Sequence, residues 1–138
     1  MEDIRRLTHH IVEFFEKLSS WEHAVVRDEG LTLPQMHTLE ILGIHGPLRM
    51  KELAERMGVT TGTLTVMVDR LEKNALVRRR PHDTDRRSIF VELTDSGREK
   101  FHQHDELHLK LTNDATACLT EEERETLSLI LEKINREM

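Results

Sequence analysis

Apolar residues recur every three to four positions along most of this chain, and every second position in one short region. Ile4, Leu7, Ile11, Phe14, Leu18, Trp21 and Val25 follow a 3,4,3,4,3,4 spacing. That spacing predicts one long helix over 3–28 with a heptad-like seam, widened by Val12 and Phe15. Such a stripe needs a partner helix, in the same subunit or in a second copy. Thr32-Leu33-Pro34-Gln35 has the form of a capping box with proline in the first turn. It predicts a second helix to about Ile44, with Met36, Leu39, Ile41 and Leu42 apolar, ended by Gly46-Pro47. A short helix follows from Met50 to Met57, turning Leu53 and Ala54 inward. Gly58 is its left-handed stop, and Thr60 caps a further helix running to Asn74. Helix, glycine turn, helix is a recognised supersecondary grammar.

Then the period changes. Leu76-Val77-Arg78-Arg79-Arg80-Pro81, a charged tip Asp83-Thr84-Asp85-Arg86-Arg87, and Ile89-Phe90-Val91-Glu92-Leu93 predict two strands of a basic hairpin. In the first strand Arg78 and Arg80 share one face. The alternative to DNA contact is that the strand arginines form a solvated edge that blocks aggregation. Thr94 caps a fifth helix expected through about Cys118. Thr120-Glu121-Glu122-Glu123 is a second capping box, opening a sixth helix with Leu127, Ile130, Leu131 and Ile134 apolar. The fold class is mainly α with a small β hairpin. The sequence contains no repeat, low-complexity tract or linker.

Place Leu64 on the buried face of the fourth helix, and Met67, Val68 and Leu71 join it at 100° per residue. Gly62, Val66, Asp69 and Lys73 then point outward, flanked by Thr63, Thr65 and Arg70. Hydroxyls and methyls of this kind suit a DNA major groove, and a cationic hairpin suits the neighbouring backbone or minor groove. The expected DNA-contacting set is Thr60, Thr61, Gly62, Thr63, Thr65, Val66, Arg70 and Lys73, with Arg86 and Arg87 in the hairpin tip. Arg49 and Lys51 are weaker candidates for backbone contact.

Bulk charge opposes this reading, since the net charge is −6 over 138 residues, 33% of them charged. Local charge supports it: residues 78–87 hold Arg78, Arg79, Arg80, Arg86 and Arg87 against Asp83 and Asp85. The length predicts one domain. The single Cys118 fits a reducing compartment. No apolar run approaches the ~20 residues of a membrane span, and Met1-Glu2-Asp3 opens no apolar leader. A cytoplasmic protein with no membrane partner is expected. No HExxH, glycine-rich phosphate loop or nucleophile motif is present, so an enzyme is not expected.

The order of Asp69-Arg70-Leu71, then Asp85 and Arg87, then Leu93, Thr94 and Gly97 resembles the MarR family of winged helix-turn-helix regulators. The resemblance covers nearly the whole chain. It implies a winged helix-turn-helix over about 33–94 and dimerisation helices over about 3–28 and 95–137. It implies a homodimer on double-stranded DNA, acting as a ligand-responsive repressor at an inverted repeat. Arg87 matches the arginine that such regulators insert into the minor groove, with Arg86 a second candidate, and Asp85 matches the aspartate that braces it. Peroxide-sensing relatives carry a first-helix cysteine that this chain lacks, so Cys118 is expected to be structural.

Nine histidines are many for this length. His104 and His108 are spaced i,i+4, a standard two-ligand zinc spacing, whereas His102, Asp105 and Glu106 lie off that face. A bland reading is a polar face of surface histidines. The chain also resembles the family's zinc-responsive adhesin competence repressors. That likeness implies a zinc site of His37, His104 and His108, completed by Glu22 or His23. Met36 and Gln103 stand where a second site of those proteins has glutamates. The alternative effector is a small aromatic or phenolic ligand, in a pocket lined by Trp21, Met36 and His37. The alternative of another class is a winged helix used only for protein contacts.

Overall fold

The computed structural model describes residues 2–81, 84–85 and 88–138. Its elements are α1 (Glu2–Asp28), α2 (Leu33–His45), β1 (Leu48–Arg49), α3 (Met50–Met57), α4 (Thr61–Lys73), β2 (Val77–Pro81), β3 (Ile89–Leu93), α5 (Asp95–Ala115) and α6 (Glu121–Glu137). This is mainly α with a small antiparallel sheet. The chain divides into two compact units, Met1–Phe101 and His102–Met138, with α5 continuing from one into the other.

The local signals act as the sequence implied. Thr32 Oγ1 accepts from the Gln35 amide while Gln35 Oε1 accepts from the Thr32 amide, closing the capping box of α2. Gly58 has φ 68 and ψ 31, a left-handed stop that only glycine adopts without strain. Thr60 Oγ1 accepts from the Thr63 amide at the start of α4. Inside the Met1–Phe101 unit, Met36, Leu39, Leu53, Leu64, Val68, Leu71 and Val91 are all fully buried. They come from three helices and the central strand, which fixes α4 by its inner face. Met36 is therefore core and does not line a pocket as expected.

The sheet order is β1-β3-β2. β2 pairs with β3 from Val77↔Leu93 to Pro81↔Ile89, and β1 adds Leu48↔Val91 and Arg49↔Phe90. The sequence reading had no β1. Two residues are too few to show alternation, and only the β3 edge makes them a strand.

The Leu93-Thr94-x-x-Gly97 motif has a physical reason. Thr94 Oγ1 donates to the Ala75 carbonyl at 2.6 Å and accepts from the Gly97 amide at 3.0 Å, so one hydroxyl ties the turn after α4 to the start of α5. Gly97 is buried, and a Cβ there would fall inside contact distance of the Leu76 carbonyl oxygen. Ala75 itself takes a positive φ of 59.

In the His102–Met138 unit, α6 opens with the expected capping box: the Glu123 amide donates to Thr120 Oγ1, and the Thr120 amide to Glu123 Oε1. α5 ends at Ala115, three residues before Cys118. Its last turn contains no basic residue, and Arg124 supplies the missing donors to the Thr116 and Asn113 carbonyls. No helix among the described residues is long and apolar enough to cross a membrane.

Candidate nucleic-acid interface

α4 presents one buried face and one exposed face. Leu64, Val68 and Leu71 are fully buried. Thr61, Gly62, Thr63, Thr65, Val66, Arg70 and Lys73 are all exposed, as is the cap Thr60. The hydroxyls are not equivalent. Thr60 serves the helix as its cap and donates to Thr63 Oγ1 at 3.1 Å. Thr65 donates its proton to the Thr61 carbonyl at 2.8 Å, so toward DNA its oxygen can only accept. Such an oxygen suits the amino group of adenine or cytosine, and the adjoining methyl suits thymine. Val66, 53% exposed on the same face, offers another methyl contact.

The strand arginines form two sets. Arg79 Nη2 meets Asp69 Oδ1 at 2.7 Å, and Arg79 Nη1 meets Glu72 Oε1 at 2.9 Å. The Arg79 amide donates to Glu72 Oε2 at 3.1 Å. One residue of β2 is thereby bolted to two acidic residues on α4. On the other face of the hairpin, Arg78 and Arg80 both donate to Glu92, at 2.8 and 2.9 Å. The Arg80 guanidinium lies 4.8 Å from the Phe90 ring centroid, with Arg49 at 5.9 Å from the same ring. Burial pushes the Glu92 carboxyl up, but hydrogen bonds and charge from Arg78 and Arg80 outweigh it and hold the carboxyl below its ordinary value.

These three arginines therefore hold the hairpin to itself and to α4, a role that neither DNA contact nor a solvated edge described. Asp69, Glu72 and Glu92 were not singled out from sequence as anchors. Cross-strand register was the signal: Arg78 lies opposite Glu92, a favourable opposite-charge pair. In the hairpin tip, Asp85 accepts from the Ser88 hydroxyl at 3.3 Å. Arg86 and Arg87, the expected wing contacts, lie outside the described residues, so the bracing of Arg87 by Asp85 does too.

A family model described as MarR family matches residues 31–89, the stretch that holds α2 to the start of β3. The chain is 38% identical over 89 residues to the HTH-type transcriptional repressor MdtR of Bacillus subtilis, covering 64% of this chain and 57% of MdtR. It thus spans under three fifths of that relative's length. It superimposes on the YusO protein of Bacillus subtilis with a TM-score of 0.74 at 31% identity, covering 96% of this chain and 94% of YusO. It superimposes on Streptococcus pneumoniae FabT, solved in complex with DNA, with a TM-score of 0.85 at 21% identity, covering 96% and 95%. The chain belongs to the MarR family.

Two further features of this MarR-family chain bring together groups that could hold a small ligand or an ion. Within the Met1–Phe101 unit, a cavity of about 550 Å³ is lined by residues of α1, α2, α3 and α4 and by Val59. Glu22, His37 and Glu40 supply its charged and imidazole groups, and Thr63 brings α4 to its wall. His37 lines it as the sequence implied; Met36 and Trp21 do not. His23, the other candidate beside Glu22, engages the Ser19 carbonyl through Nδ1 at 2.8 Å.

Within the His102–Met138 unit, the Nε2 atoms of His104 and His108 are 3.1 Å apart and the rings meet edge to face. His104 is fully buried, so a face of surface histidines does not describe this pair. Two nitrogens at ~2.0–2.1 Å from one tetrahedral ion would sit roughly 3.3 Å apart. The pair is thus set at nearly the spacing a shared cation needs, with a tautomeric hydrogen bond as the metal-free alternative. His102 is exposed and takes no part in the pair.

Proposed function

We propose that the protein is a DNA-binding transcriptional regulator, a repressor that acts as a homodimer on an inverted-repeat operator in the cytoplasm, and not an enzyme. The observation that carries this reading is α4, whose inner face is locked in the core while its Thr-rich outer face is wholly exposed. Support comes from MdtR, named a repressor, and from FabT, solved with DNA. The exposed apolar residues Ile4, Leu7, Ile11 and Phe14 of α1, and Ile130 and Leu131 of α6, support a second copy. A two-fold protein reads a two-fold site, with half-sites about 10 bp apart.

The test is binding to cognate and random DNA across salt. Thr63→Ala and Arg70→Ala should lower cognate binding more than random binding, by about 1–3 kcal/mol where a base contact is lost. Arg87→Ala should weaken both and reduce the salt slope by roughly 1 per phosphate contact. A binding constant indifferent to salt would instead favour a winged helix used for protein contacts.

A second reading concerns the effector, and the 3.1 Å His104–His108 spacing favours it. We infer that a zinc-type ion is taken by these two imidazoles. Imidazole donors suit zinc. A metal that prefers the DNA-competent state must tighten DNA binding, and DNA must tighten metal binding equally. The double variant His104→Ala/His108→Ala should lose metal stoichiometry and metal-dependent DNA binding, while apo DNA binding persists.

A further inference from the structure

Val66 stands 53% exposed in the middle of the polar face of α4, with Gly62 one turn before it and Asp69 and Lys73 in the turns after. Gly62 is helical, and among the described residues a Cβ there would meet only Thr60 Oγ1, at 3.9 Å. No such contact needs a glycine at this place, and glycine weakens a helix relative to alanine. The missing side chain matters only to a surface that approaches α4 closely from outside. Thr65, the residue before Val66, has committed its proton to the Thr61 carbonyl at 2.8 Å and can only accept from such a surface. The carboxylates beside it are engaged: Arg79 holds Asp69 Oδ1 at 2.7 Å and Glu72 Oε1 at 2.9 Å. A carboxylate is the usual acceptor for cytosine, so this neighbourhood is poorly set to read a G·C pair.

In a major groove these features select one kind of base pair, a step that rests on the reading of α4 as the DNA-contacting helix. A hydroxyl that only accepts takes the amino group of adenine or of cytosine, and by itself does not tell them apart. A valine seeks the thymine methyl, which a G·C pair lacks. Only an A·T pair offers the amino group and the methyl together. We infer that Gly62, Thr65 and Val66 read an A·T pair in each half-site. Val66 packs on the thymine methyl, Gly62 clears the approach one turn away, and Thr65 accepts from the adenine amino group.

The experiment selects sites for the full-length protein from random-sequence duplex DNA, then changes single groups on the selected site. Uracil in place of thymine removes only the methyl groups, and purine in place of adenine removes only the amino group. The wild type should bind uracil-substituted DNA about fourfold more weakly for each half-site, the worth of one buried methyl group. Val66→Ala should bind the natural site more weakly and lose that sensitivity to uracil. Thr65→Val keeps the side-chain shape without the acceptor, so loss of the adenine amino group should cost it nothing further. Gly62→Ala should melt no lower than the wild type and still lose DNA affinity. Melting curves of the other two variants check that they fold. A wild type indifferent to uracil overturns the inference, as does a Val66→Ala variant that keeps the full uracil penalty. A Gly62→Ala variant that binds as the wild type does, or selected half-sites that share no A·T pair, overturns it as well. Failure to enrich any sequence, with no binding to duplex DNA, removes the DNA reading of α4 itself and this inference with it. Enrichment followed by any of the other failures removes the inference alone.

Discussion

Helix α4 and helix α6 are both amphipathic, yet only α4 has found a home for its apolar face. Leu64, Val68 and Leu71 of α4 are fully buried. No residue of α6 is buried, and Leu127, Ile130, Leu131 and Ile134 are 39–50% exposed. The exposed sides differ as well. That of α4 is threonine, glycine, valine and arginine, chemistry for a polar partner. That of α6 keeps leucine and isoleucine, chemistry for another apolar surface. One helix has its apolar face covered within the chain and leaves a polar face exposed; the other leaves its apolar face exposed.

The largest effect should come from attacking what finishes the winged part. Gly97→Ala puts a methyl group against the Leu76 carbonyl, a backbone atom that cannot swing away. The strand end, the turn after α4 and the start of α5 are tied there by the Thr94 hydroxyl. We expect destabilisation of about 3 kcal/mol or more, seen as a fall in the thermal midpoint. A variant that melts with the wild type would mean that α5 shifts freely, and that the winged core is less finished than its burial implies.

The next effect belongs to the unfinished helix. Leu131→Asp should leave the fold of the Met1–Phe101 unit intact and weaken self-association, because Leu131 is 49% exposed in the single chain. Sedimentation should show dissociation at micromolar concentration, with the circular dichroism of the helices retained. If Leu131→Asp remains as associated as the wild type, the apolar face of α6 is not part of the dimer contact, and the comparison with α4 loses its meaning.

How much of this was legible in the chain depends on how far each signal reaches. Caps, glycine stops and helical periods act within a few residues, and α2, α3, α4 and α6 fell where Thr32, Gly58, Thr60 and Thr120 place them. β1 was missed because its existence depends on β3, forty residues away. The face of α4 was legible because burial follows its own period. The partners of the arginines were not. Arg79 reaches Asp69 and Glu72 across a turn, and Arg78 and Arg80 converge on Glu92 across the hairpin. Sequence counted all three as loose positive charge. Helical spacing already set His102 on another face from His104, but the full burial of His104 comes from packing that the spacing does not show.

Arg79 sharpens the comparison from the side of function. It is 23% exposed and links β2 to α4 through two ion pairs. Arg79→Ala should let the hairpin swing relative to α4. DNA affinity should drop about tenfold, of the order expected for losing a partly buried charged link, with a smaller loss in stability. Arg79→Lys, which cannot reach both carboxylates in one fork, should recover little of it. Full recovery by lysine would make positive charge, not the two-pronged link, the property that matters.

The smallest effect tests whether Glu92 acts on the hairpin by charge or by packing. Its side chain is 15% exposed, whereas Arg78 and Arg80 are 65% and 35% exposed, so solvent screens much of the attraction. We therefore expect Glu92→Gln to cost about 1 kcal/mol near neutral pH. The sign with pH follows from the carboxyl being held below its ordinary value. Its contribution is present above the unfolded carboxylate value near ~4.3 and is lost as pH falls through the lower folded value. Other carboxylates also destabilise the protein in acid, so the informative quantity is the difference between wild type and variant. That difference should shrink below about pH 4 and at high salt. A difference constant with pH and salt would mean that the glutamate merely fills space between two arginines. In that case the Arg78 and Arg80 face of the hairpin would be held by packing, and the charged link to α4 would rest on Arg79 with Asp69 and Glu72.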